Sequence, residues 1–204
     1  MVQSLQRLKE SPSQTAGPYI HIGATPNACG IRGIYAEDLG QRLVNEKSIG
    51  QRIILTGRII DGTGTAIRDA LVEIWQADAA GCYPGRAGAD PNFTGWGRQA
   101  VDSDTGVYRF ETVKPGRVPF SDGRPMAPHV TFWIAARGIN LGLHTRLYFG
   151  DEADANAADP VLARVEHQQR IQTLIAARTD AAGATTFTFD IRLQGEHETV
   201  FLEI

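Results

Sequence analysis

From Gln51 onward the chain falls into short runs in which apolar and polar residues alternate, separated by Gly- and Asp-rich turns. A period of two is the mark of a β-strand with one face buried. Arg52 to Asp61 predicts a strand, and "DGTGTAIRD" a turn with a short extension. "ALVEIWQAD" (70–78) carries apolar residues on both faces, which predicts a strand covered over most of its surface. Val107–Val113 alternates cleanly after an "SDTG" turn and stops at "KPG". "HVTFWIAA" (129–136) is rich in β-branched and aromatic residues, and "LHTRLYF" (143–149) follows a Gly-bounded loop.

The flanks have a different texture. Residues 1–50 are rich in Gly, Pro, Ser and Asn with little periodicity, which predicts an extended arm or a set of loops. Residues near 152–170 combine Ala, Glu and Arg with Asp159 as a candidate N-cap and Pro160 at the first helical position, predicting one or two short helices. Two runs around "TDAAG" then predict a hairpin, with Phe187, Phe189, Ile191 and Leu193 on one face. The expected architecture is an all-β antiparallel β-sandwich: an arm over 1–50, then a domain over 51–204 with short helices and a C-terminal hairpin.

Composition adds exclusions. The 204 residues are 42% hydrophobic and 21% charged with a net charge of −3. That suits one globular domain, and the lack of Lys/Arg runs argues against nucleic acid or an anionic membrane as partner. No stretch approaches a membrane span, and "MVQSLQRLKESPSQT" has no apolar signal core. With only Cys29 and Cys82, the expectation is a reducing cytoplasm.

Sandwich domains serve enzymes, carriers and adhesion proteins alike, so function must come from a site. His21, His129, His144, His167 and His197 are scattered, with no i, i+2 strand pair or i, i+4 helix pair. "VDSDTG" reads as a turn, since a calcium loop needs more oxygens and a distal Glu. A serine nucleophile elbow and a phosphate loop are missing from the sequence. "PGRVPFSDGRPMAPHVTF" (115–132) places His129 at the start of an apolar run, where it is either a hydrogen-bonded core residue or a metal ligand. By residue chemistry alone an independent enzyme with unusual metal ligands and a structural or carrier protein both stay open.

Four motifs then occur in order: "LVEIWQADAAGCY" (71–83), "DPNFTGWGR" (90–98), "TGVYRFETVKPG" (105–116) and "APHVTF" (127–132). Together they resemble the intradiol ring-cleavage dioxygenases, non-haem Fe(III) enzymes that open catechols between the two hydroxyls. In that family two tyrosines and two histidines hold iron. The resemblance puts Tyr83 at the first tyrosine and His129 at the first histidine, but Val118 at the second tyrosine and Thr131 at the second histidine. Valine has no donor and a threonine hydroxyl is a poor substitute for imidazole, so this chain is expected to hold no metal itself.

Three further stretches, 12–23, 136–149 and 189–204, resemble the iron-free alpha chain found in two-chain members of the family. The resemblance implies a homologous iron-bearing beta chain as partner, alpha–beta pairs in a larger oligomer, Fe(III) held by the partner, and protocatechuate and O2 as substrates. It implies no catalytic residue in this chain, and substrate contacts from Arg137 and from Thr15, Gly17, Pro18 and Tyr19 of the arm.

Overall fold

The computed structural model describes residues 15–17, 19–140 and 142–203. Among the described residues nine strands form: β1 Arg52–Ile60, β2 Leu71–Trp75, β3 Trp96–Ala100, β4 Val107–Val113, β5 His129–Ala135, β6 Leu143–Phe149, β7 Ile175–Ala181, β8 Ala184–Thr188 and β9 Ile191–Arg192. Their hydrogen-bonded order is β3-β2-β5-β6-β7-β8-β1-β4, with β9 alongside β1. This is a mostly-sheet fold, nearly closed like a barrel.

The sheet is mixed, which corrects the expectation of an antiparallel sandwich. β6 and β7 pair in parallel, as do β1 and β8, and β1 and β9. The reason lies between β6 and β7. The chain passes through a short helix, α2 Ala153–Ala157, and two 3-10 segments, Leu162–Arg164 and Gln168–Leu174. A crossover of that length is what returns a strand in the same direction.

Alternation places the strands correctly. Along β1, Ile53, Leu55, Ile59 and Ile60 are buried while Arg52 and Arg58 face solvent. Phe187, Phe189 and Ile191 are buried on one face, and Leu193 packs against the same core. Aromatic rings fill its centre: Phe149 meets Phe187 edge-on with centroids 4.8 Å apart, and Phe132 meets Phe189 at 5.5 Å. Tyr108 donates its hydroxyl proton to the Phe189 carbonyl.

Three local features differ from the sequence reading. β3 is not foreshadowed, because glycine occupies its buried position: a Cβ at Gly97 would meet Leu43 Cδ1 at 2.7 Å. The turn of the final hairpin is tighter than "TDAAG". It is the pair Ala182–Gly183, with φ of 50° and 79°, the left-handed geometry of a two-residue hairpin loop. The arm contains a short helix, α1 Tyr19–Ala24, that buries no residue.

Candidate functional site

Two places bring the singled-out residues together. The first lies on one face of β2, β5 and β6. Cross-strand partners point to the same side of a sheet. Thr131 sits opposite both Trp75 and Arg146, and His129 sits opposite Tyr148. Residues 129 and 131 share a face by the period of two, so His129, Thr131, Arg146 and Tyr148 project together.

Tyr83 reaches this face from the loop after β2. Its ring stacks on Trp75, 3° from parallel with centroids 5.8 Å apart. Buried Asp78 shapes that loop by accepting hydrogen bonds from the N–H groups of Ala80, Cys82 and Asp90. The "PG" turn then docks on it: the Gly116 N–H donates to the Asp78 carbonyl at 2.8 Å. No side chain fits between, since a Cβ at Gly116 would lie 2.6 Å from the Ala79 carbonyl oxygen and one at Gly81 2.2 Å from that of Arg117. Val118 is thereby buried with Ala77 and Met126, against Tyr83 and Phe120.

His129 is 4% exposed. Its Nδ1 lies 2.8 Å from the Ala127 carbonyl, so Nδ1 carries the proton and donates. That leaves Nε2 as a buried acceptor without a partner among the described residues. Burial, reinforced by the Arg146 guanidinium, pulls the imidazole down to about 4, despite the Ala127 bond and the Asp159 carboxylate, which act the other way. His129 is therefore neutral at pH 7. Burial raises the Tyr83 phenol above its ordinary range, with Arg146 opposing, and raises Tyr148 likewise.

Asp159 supports the site from below. Only 1% exposed, it accepts from the N–H groups of Val161 and Leu162, from the Ala127 N–H at 2.7 Å and from the Tyr148 hydroxyl at 3.3 Å. It thus caps a 3-10 turn and ties it to the start of β5.

The donors do not fit a resident ferric ion. Of the four positions, Tyr83 and His129 carry donors suited to iron, Val118 carries none and Thr131 a weak one. A cation, Arg146, already stands across from Thr131 and within electrostatic reach of Tyr83 and His129. Among the described residues no three His, Cys, Asp or Glu side chains converge on a common point. "VDSDTG" is a turn stitched by Asp102, whose carboxylate accepts from Asp104 and Thr105. Cys29 and Cys82 are free thiols.

The second place is where the arm meets the loop after β5. Thr15 forms a β-bridge with Asn140, its Oγ1 donates to the Ala136 carbonyl at 3.4 Å, and it accepts the Gly138 N–H at 2.9 Å. Arg137 lies between these contacts, 78% exposed at its side chain, with Nε 2.8 Å from Asp69 Oδ2. His21 of α1 reaches the Asp69 carbonyl at 3.0 Å. Gly17 and Arg137 line one cavity of about 610 Å³ together with Ile20, His21 and Asp69. Tyr19 is beside it and 80% exposed. Pro18 lies outside the described residues.

Sequence reasoning singled out neither Arg146 nor Asp78, and took Asp159 only as a helix cap. An Asp ahead of Ala-Ala-Gly or Pro signals a turn, but the cross-strand position of Arg146 becomes visible only once the β5–β6 register is known.

The mostly-sheet shell thus brings Tyr83 and His129 to one face. The chain belongs to the dioxygenase family: the family model described as "Dioxygenase" matches residues 31–195. It is 47% identical to the protocatechuate 3,4-dioxygenase alpha chain of Pseudomonas putida over 98% of each chain. It is 36% identical to the protocatechuate 3,4-dioxygenase beta chain of Burkholderia cepacia, over 80% of this chain and 77% of that one. Its fold matches the dioxygenase domain of a carbohydrate-binding fusion protein from Streptomyces sp. SirexAA-E with a TM-score of 0.57 at 21% identity, covering 94% and 100% of the two chains. Among the described residues no helix is long and apolar enough to cross a membrane.

Proposed function

We propose that this chain is the iron-free alpha subunit of a protocatechuate 3,4-dioxygenase. It pairs with a homologous beta chain that holds Fe(III), and such pairs build a larger cytoplasmic oligomer. The assembly adds both atoms of O2 to protocatechuate and opens the ring between the hydroxyls, giving 3-carboxy-cis,cis-muconate. Full-length similarity to an alpha chain carries this reading, and the loss of two donors at Val118 and Thr131 supports the metal-free role.

Iron held by the partner would supply the activation of the catechol toward O2. The residues of this chain bind and orient. Arg137 is exposed beside the arm, and its planar guanidinium suits the substrate carboxylate. Asp69 holds that guanidinium in place before substrate arrives. Thr15 fixes the arm to the Arg137 loop, so Gly17 and Tyr19 form a wall beside it. Apart from its chain neighbours, Gly17 has no atom of the described residues within 4 Å of where a Cβ would stand, leaving backbone open to a ligand. The exposed rings and aliphatics of Tyr19 and Ile22 supply apolar surface for the partner.

The test is purification of the chain alone and together with its beta partner, with iron and turnover measured on both. Iron and activity are expected only in the pair. Stoichiometric iron in the chain alone would overturn the assignment.

A further inference from the structure

Beside the remnant face lies a second cavity, of about 430 Å³, with a chemistry the proposed alpha-subunit role does not use. One wall is apolar: Phe120, Val161, Val165 and Phe201. Arg146 forms part of its lining. Among the described residues its Nε is buried without a hydrogen-bond partner, its Nη1 makes a weak contact with Met126 Sδ at 3.6 Å, and the guanidinium also faces the Tyr148 hydroxyl. A buried guanidinium donor left unsatisfied is costly, and such groups in native proteins usually await a ligand or ordered water.

The other charges around the cavity do not neutralise it. Arg170 is bound to Glu198 and to the carbonyls of Glu198 and Thr199. Arg164 lies over the Phe120 ring at 4.7 Å. Glu166 and Glu203 also line the cavity, and among the described residues neither forms an ion pair with Arg146 or Arg164. The nearby buried carboxylate, Asp159, already has its oxygens on three backbone N–H groups and Tyr148. His129 is neutral and offers no competing charge.

We propose that this cavity binds a small aromatic carboxylate, its carboxylate on the Arg146 guanidinium and its ring against Phe120, Val161 and Phe201. The volume suits one such molecule. Arg146 supplies a planar donor fork that matches a carboxylate, and Arg164 adds a second positive charge at the mouth. The site is separate from the Arg137 cavity and does not depend on the alpha-subunit reading.

Isothermal titration of the full chain with benzoate at neutral pH tests it, with benzamide as the neutral isostere. The expected result is saturable one-to-one binding of benzoate, with benzamide weaker by about tenfold or more. Arg146→Met should weaken benzoate by about tenfold or more, and Arg164→Ala, at an exposed position that leaves folding intact, by several-fold. Arg109→Ala, on β4, should leave it unchanged. Should Arg146→Met fail to fold, Arg164→Ala decides. No saturable binding, equal binding of benzamide, or benzoate binding that neither arginine variant weakens would overturn the proposal.

Discussion

Arg146 stands directly across the β5–β6 ladder from Thr131. The position where the family resemblance calls for a histidine thus faces a fixed positive charge. Two unit charges 4 Å apart repel by about 4 kcal/mol at an effective dielectric of 20, and a trivalent ion multiplies that. Restoring donors alone should therefore fail. Val118→Tyr with Thr131→His is expected to bind no iron, whereas adding Arg146→Gln should give stoichiometric iron and a tyrosinate-to-iron absorption band. Metal analysis and visible spectra of the two variants check this.

His129 ties stability to pH. Its folded value of about 4 lies below the ordinary 6.5, so the unfolded chain binds the extra proton. The neutral imidazole's contribution is complete above pH 6.5 and is lost as pH falls towards 4. The groups facing it are Arg146 and Tyr148 on β6 and the Asp159 carboxylate. His129→Gln should lose about 3 kcal/mol less than the parent between pH 6.5 and 4. Urea unfolding across that range measures the difference, and parallel pH curves would contradict it.

Asp159 holds the floor of the remnant site. Asp159→Ala strands three backbone N–H donors and the Tyr148 hydroxyl. Each buried donor left without a partner costs about 1–3 kcal/mol, so a loss of about 3 kcal/mol or more is expected in urea unfolding. Asp102→Ala, in an exposed turn, should cost far less.

Arg137 separates binding from chemistry. In the two-chain complex Arg137→Ala should raise KM for protocatechuate by about tenfold or more, the worth of one charge-assisted hydrogen bond. Iron content should stay constant and kcat change little. Steady-state kinetics with metal analysis tests this, and an unchanged KM would remove Arg137 from the pocket.

Much of the architecture was legible because local rules and tertiary demands agree. β4 and β6 begin and end where alternation begins and ends, at Val107–Val113 and Leu143–Phe149. β3 was not legible: a glycine at its inward position erases the apolar signal that marks a buried strand. That Val118 carries no donor and Thr131 only a weak one could be seen in the motifs, since donors are a property of residue type.

The sequence by itself determined most of the strands, the hairpin face of Phe187, Phe189 and Ile191, the family, and the lack of a strong donor at Val118 and Thr131. Those depend on side-chain chemistry and a period of two. Only the tertiary structure decided that the sheet is mixed, because strand direction follows the route of the 153–174 crossover. It alone set Thr15 beside Arg137 and Arg146 opposite Thr131. Such pairings arise from register and chain path, and register couples residues whose sequence separation carries no trace of their contact.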